Sequence, residues 1–146
     1  MKRYGFALVV AVVIIAIVVF PSDKKRIRKA IRTCEQAIIN ENSEALMSLI
    51  SFNYSDDYGG SYLMLKKRSE RLFKTYDDYE IIADIVGITV NEGKAIADLK
   101  VSIIASEGNE RGYLLGDAGS HRKIKVYFEK DKFGWAIVRL YDEKHE

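Results

Sequence analysis

Seventeen consecutive uncharged residues, Tyr4 to Phe20 (YGFALVVAVVIIAIVVF), dominate the start of the hydropathy pattern, and nothing later in the chain repeats them. From Ser22 onward apolar positions recur at helical steps. Ile27, Ala30, Ile31, Cys34, Ala37 and Ile38 fall three or four residues apart and make one stripe. Ser22 or Asp23 stands where a helix cap is needed, just after Pro21. NENS (40–43) interrupts the pattern, and Ala45, Leu46, Leu49 and Ile50 form the inner face of a short second helix. A short extended piece around Tyr54 ends at Gly59-Gly60. Ser61 caps a third helix, in which Tyr62, Leu65, Ser69, Leu72, Phe73 and Tyr76 share a face while Lys66, Lys67, Arg68, Glu70, Arg71 and Lys74 turn to water.

After Asp77-Asp78 the period changes to two. YEIIADIVGITV (79–90) is β-branched and long, NEG (91–93) is a hairpin turn, and KAIADLKVSIIASE (94–107) alternates, with Ala95, Ala97, Leu99, Val101, Ile103 and Ala105 on one face. Residues 108–120 hold four glycines and predict a long mobile loop. HRKIKVYFEKD (121–131) and WAIVRLYDE (135–143) come next, joined by a turn at KFG (132–134). Three helices and then a four-strand meander predict an α+β domain, with the helices packed on one face of a curved antiparallel sheet.

The first residues divide the chain into an N-terminal anchor, 1–20, and a folded domain, 21–146. As a helix the uncharged run would reach about 25 Å, slightly short of a hydrocarbon core, and Lys2, Arg3 and Tyr4 can snorkel to make up the difference. Phe20-Pro21 stands where a cleaved signal would have small residues, so the run predicts an uncleaved single-pass anchor in a lipid bilayer. Two signals disagree on its orientation. A basic tip before an apolar run reads as a signal-anchor that exports the domain behind it, whereas six basic residues against one acid in 22–32 favour a cytoplasmic domain. The expectation is an extracytoplasmic domain, because those downstream charges belong to the first helix. That helix face, with Lys24, Lys25, Arg28, Lys29 and Arg32, can meet anionic headgroups or simply be solvated.

Charge narrows the partners. Of the 23 basic residues two lie in the tip, so the rest of the chain balances its 21 acids, which excludes the basic excess of a nucleic-acid binder. Cys34 is the sole cysteine, so an intrachain disulfide and a cysteine-based metal site are both excluded; its place in the apolar stripe makes it a small core residue. No His/Asp/Glu cluster has metal-ligand spacing, no phosphate-binding glycine loop or nucleophile elbow is present, and no cofactor is expected.

Taken together, IRKAIRTCEQAIINENSEALMSLIS, NYSDDYGG, GKAIADLKVSI and VYFEKDKFGWAIVRLY resemble the nuclear transport factor 2-like superfamily (SnoaL-like, cystatin-like) over about residues 24–142, nearest to membrane- or envelope-attached bacterial members. The resemblance implies a cone-shaped α+β barrel. It leaves function open, since the superfamily includes isomerases, dehydratases, cyclases, transport adaptors and assembly domains. It also implies a homodimer through the sheet.

Enzymes of this kind hold a carboxylate, tyrosine or histidine inside the cone, where apolar walls tune its pKa. The inward faces of the second and third long strands offer only hydrocarbon. Two exceptions are catalytic candidates: Asp84, on a strand whose two faces are equally apolar, and the group Tyr54, Asp56 and Asp57 beside Tyr58. A tyrosine there could donate to a developing enolate while an aspartate takes a proton. The competing reading gives both aspartates to the turn before Gly59-Gly60 and is preferred. Trp135, Tyr127, Tyr76 and Tyr141 are candidates for lining a ligand mouth, or for packing and dimerisation. The expected function is a membrane-anchored, non-catalytic domain that binds a small apolar molecule or a protein partner; the alternative is an isomerase, dehydratase or cyclase acting through carboxylate acid–base chemistry.

Overall fold

The structure is a computed structural model, which describes residues 10–12, 14–16 and 22–143. Among the described residues from 22 onward, three helices precede five strands: α1 (Asp23–Ile39), α2 (Ser43–Met47), α3 (Tyr62–Thr75), β1 (Asp77–Asn91), β2 (Lys94–Glu107), β3 (Glu110–Leu115), β4 (Arg122–Asp131) and β5 (Gly134–Glu143). Each helix starts on the side-chain oxygen expected of a cap. Ser22 accepts from Lys25 N, Asn42 from Ala45 N and Ser61 from Met64 N.

The sheet is antiparallel in the order β1-β2-β4-β5, with β3 pairing the far half of β2. The connection predicted as a mobile loop is therefore partly strand: β3 pairs Ile103–Glu107, while β4 pairs Lys94–Val101 along the same edge of β2. The β1–β2 turn places Glu92 and Gly93 at φ 47° and 76°, the left-handed pair that a two-residue hairpin of this twist requires. Register shifts between Ile85 and Gly87 and between Tyr127 and Phe128 are bulges, which bend the strands and curl the sheet.

The helices cover the concave face. Ile27 and Ile31 of α1, Met47 of α2, Ile50 just after it, and Ala95, Ala97, Leu99, Val101, Val126, Phe128 and Ile137 of the sheet form one core. Segment 49–55 runs along the edge of β5: Ser51 N donates to Ile137 O, Ile137 N to Leu49 O and Ser55 N to Val138 O. The third helix turns its expected face inward, with Ser69 buried against Ser43 and Tyr62, Leu65, Phe73 and Tyr76 half-buried, except that Leu72 is 43% exposed.

Among the described residues no helix is long and apolar enough to cross a membrane. Most of the run Tyr4–Phe20, and so the predicted anchor, lies outside the described residues. Those described within it, 10–12 and 14–16, are helical and exposed, with Val12, Ile14 and Ile15 at 57%, 55% and 59%.

Candidate functional site

Between the helices and the curled sheet lies a cavity of about 400 Å³. Ile31, Cys34 and Ile38 of α1 and Leu65 of α3 form one wall; Ile81 and Ala83 of β1, Leu99, Val101 and Ile103 of β2, and Ile124 and Val126 of β4 form the other. The lining is a product of strand alternation. Every second residue of β2 points inward, and all of those that reach the cavity are aliphatic, as the sequence predicted. Polar groups reach the lining at Glu35, Tyr54, Asp56, Tyr58, Arg68 and Asp142. The Arg68 side chain is 49% exposed and Tyr58 59%, so these residues mark the opening.

The structure brings two of the catalytic candidates together. Tyr54 is 4% exposed, and its hydroxyl donates to Asp56 Oδ2 at 3.3 Å. Asp56 Oδ1 accepts from Gly60 N at 2.7 Å and Tyr58 N at 2.9 Å, and the Arg68 guanidinium lies 3.9 Å from Oδ2. Burial alone would raise the Asp56 carboxyl; the Gly60 and Tyr58 N–H groups, the Tyr54 hydroxyl and Arg68 outweigh it and hold the carboxyl below its ordinary value. Tyr54 moves the other way, pushed up by burial, by the Asp56 charge and by the hydrogen bond it donates. Each group is thereby a poor proton carrier at neutral pH. A low-pKa carboxylate is a weak base, and a phenol committed to a carboxylate has already used its proton.

The same bonds have a structural task. Asp56 closes the 56–60 turn, whose backbone also pairs through Asp56 N to Gly60 O and Gly59 N to Asp56 O. Gly59 sits at φ 71°, and a Cβ on Gly60 would come within 2.2 Å of Asp56 Oδ2. The aspartate fills the space that a side chain at position 60 would need.

The remaining candidates lie elsewhere. Asp84 is on the exposed face of β1, opposite Lys100, because Tyr79, Ile81, Ala83 and Ile85 take the inner positions before the bulge at Gly87 changes parity. Asp57 pairs with Arg139 on the surface. Trp135, Tyr127 and Tyr76 do not line the cavity. The Trp135 indole donates to Asp23 at 3.1 Å, at the start of α1. Tyr127, one residue out of phase with the inward Val126 and Phe128, lies under Arg139, whose guanidinium is 5.5 Å from its ring centroid. Tyr76 ends α3, its N–H bonded to Leu72 O.

Sequence reasoning missed Arg68, read as facing water, and Glu35 and Asp142. No local pattern could place them, because each reaches the lining from a separate element. Cys34, a wall residue, has its thiol pushed up to about 11 by burial, with Glu35 adding to the effect. Among the described residues no group of three or more His, Cys, Asp or Glu could hold a metal ion.

No family model matches the chain, and no curated protein matches it. Solved structures do. Bdellovibrio bacteriovorus Bd1075 is similar at TM-score 0.68 and 12% identity over 83% of this chain, which spans only 41% of that one. A nuclear transport factor 2-like superfamily protein from Salmonella enterica serovar Typhimurium gives TM-score 0.70 and 15% identity, covering 85% of this chain and 92% of that one. A Streptomyces avermitilis member of the same family, named for a proposed dehydratase activity, gives 0.68 and 12%, covering 81% and 92%. Identities this low speak to architecture alone: the chain has the nuclear transport factor 2-like, cystatin-like fold.

Proposed function

We propose that this domain is a binding module that takes a small apolar molecule into its cone, tethered to a membrane by Tyr4–Phe20. The observation that carries the binding reading is the cavity itself. Its volume of about 400 Å³ falls in the range of small-molecule sites, and its walls are aliphatic with a few polar groups at the opening. The tether is supported by the uncharged run and by the exposure of Val12, Ile14 and Ile15, helical apolar residues that the domain does not cover. The basic tip supports export of the domain, against the six basic residues just after the run.

The test is titration of the purified chain with a panel of apolar probes (a naphthalene-sulfonate dye, fatty acids, a sterol). Two variants that fill the cavity from opposite walls, Ala83→Phe and Leu65→Trp, accompany it. Binding to the wild type at micromolar concentrations, weakened at least about tenfold in both variants with folding retained, is the expected result. Failure of every probe to bind would remove the reading. Flotation with vesicles tests the tether, and a C-terminal reporter fusion tests its orientation.

The meeting of Tyr54 and Asp56 at the cavity lining is the one observation behind a second reading, an isomerase- or dehydratase-type enzyme, and the direction of their pKa shifts counts against it. The two readings separate on Tyr54→Phe. A binding module keeps its probe affinity within about threefold and its bound carbonyl compounds exchange no protons with solvent deuterium. Deuterium incorporation that disappears in Tyr54→Phe would establish the enzyme.

A further inference from the structure

We propose that one end of the domain, formed by the start of α1 and the tip of the β4–β5 hairpin, rests against a lipid surface, with Phe133 entering the headgroup layer and Lys24, Lys25 and Lys132 meeting anionic lipid. The inference rests on the tether reading and adds to it a fixed face of contact.

Two observations carry it. Phe133, at the hairpin tip, is 88% exposed, the most exposed of the large apolar side chains described. Its turn is rigidly made, since Asp131 Oδ1 accepts from Phe133 N at 2.7 Å and from Gly134 N at 3.1 Å. The fold also clasps this tip to the start of α1, which in sequence follows the apolar run by three residues. Asp23 Oδ1 accepts from Trp135 Nε1 and from Lys130 Nζ, both at 3.1 Å. Phe20 lies two residues before Ser22, within roughly 7 Å of extended chain. A bilayer that held the run up to Phe20 would therefore be within reach of the Phe133 turn, whichever side of the membrane the domain occupies.

The charges at this end fit such a surface. Lys24, Lys25, Arg26 and Lys132 are exposed. The Lys132 ammonium sits 5.3 Å from the Phe133 ring centroid, so the aromatic group and the cation would enter the interface together. Of the acids nearby, Asp23 is neutralised by Lys130, Glu129 faces Lys94 at 4.0 Å and Asp131 is committed to its turn. Glu92, exposed in the adjacent turn, opposes the contact. An aromatic tip among lysines is the chemistry of a membrane interface.

The experiment uses the full chain with Cys34→Ala, carrying Phe133→Cys or, at the remote β2–β3 turn, Asn109→Cys. Each is labelled with an environment-sensitive nitrobenzoxadiazole dye and reconstituted into vesicles of phosphatidylcholine, alone or with equimolar phosphatidylglycerol. The expected result is a blue shift and a roughly twofold emission gain at position 133 only, larger with phosphatidylglycerol and quenched by headgroup spin labels. A label at 133 that stays as aqueous as at 109 while the protein floats with vesicles overturns the docking and leaves the tether. Failure to float at all overturns both. Replacing Lys24, Lys25 and Lys132 with serine should abolish the phosphatidylglycerol gain while flotation persists; an unchanged gain would overturn the role of the lysines.

Discussion

Asp56 shows how one side chain serves a turn and a cavity wall together. Its ionised form is held by two backbone N–H groups, a phenol and a guanidinium, which hold its folded-state pKa down. The resulting stabilisation is complete above the unfolded value of about 4 and is lost as pH falls through the folded value. Asp56→Asn should therefore cost about 1–3 kcal/mol near neutral pH. The gap from wild type should narrow on acidification in chemical denaturation followed by circular dichroism; a gap independent of pH would assign the effect to shape. Cys34 offers a second check at this scale. With its thiol pushed up to about 11, alkylation by iodoacetamide at pH 8 should run two to three orders of magnitude below that of an ordinary thiol, roughly in proportion to thiolate content. At this scale the sequence was informative where chemistry is local. Asp-Asp before Gly-Gly announced a turn, and the turn is what Asp56 makes. Arg68, arriving from α3, could not be foreseen, because its meeting with Asp56 depends on how the helix lies over the sheet.

At the scale of elements, β1 and β3 explain where the sequence pattern fell short. On β1 the bulge at Gly87 exchanges the two faces halfway along, so inward Ile81, Ala83 and Ile85 give way to Ile88 and Val90. Averaged over the strand, both faces look apolar, and Asp84 could not be assigned until the bulge was located. On β3 all positions except Leu115 are exposed, so no alternation of burial marks the strand. Its order comes from backbone pairing and from Arg111, which reaches Glu80 at 3.0 Å and Asp78 O at 2.8 Å. The link from β3 to β4 is held from beneath. Ser102, fully buried, shares a 2.7 Å hydrogen bond with His121 Nδ1, and Gly116, at φ 76°, passes so close that a Cβ would lie 2.5 Å from Ser102 Oγ. Gly116→Ala should destabilise the domain by about 1–3 kcal/mol, with the largest loss of amide protection on β3. Uniform loss of protection across the sheet would mean that this link is no separate unit. The α1 stripe, by contrast, was fully legible: Ile27, Ile31 and Ala37 are buried and Cys34 and Ile38 line the cavity, because a single undistorted helix keeps its period.

For the molecule as a whole, the core turns on Phe128, 1% exposed and central to the sheet's inner face. Phe128→Ala should cost about 3–5 kcal/mol, read as a shift in the denaturant midpoint with unchanged slope. The outer face of the sheet is laced with ion pairs, Lys125 with Asp98 at 2.8 Å and with Glu143 at 3.4 Å among them. A homodimer through this face would have to desolvate them, so replacing the Lys125–Asp98 pair by apolar residues should strengthen it. Light scattering of the full chain in detergent, with and without Lys125→Met and Asp98→Leu together, measures this.

The strands also separate the two ends of the molecule. The turns at Glu92-Gly93 and Lys132-Phe133 stand at one end of β2 and β4, while the cavity's strand wall extends to Ile103, about nine residues and roughly 30 Å of strand from Lys94. If the Phe133 end is moored to lipid, Arg68 and Tyr58 look out over water. Cargo would then be taken from the surrounding fluid, and the bilayer would serve as a berth, with no part in loading.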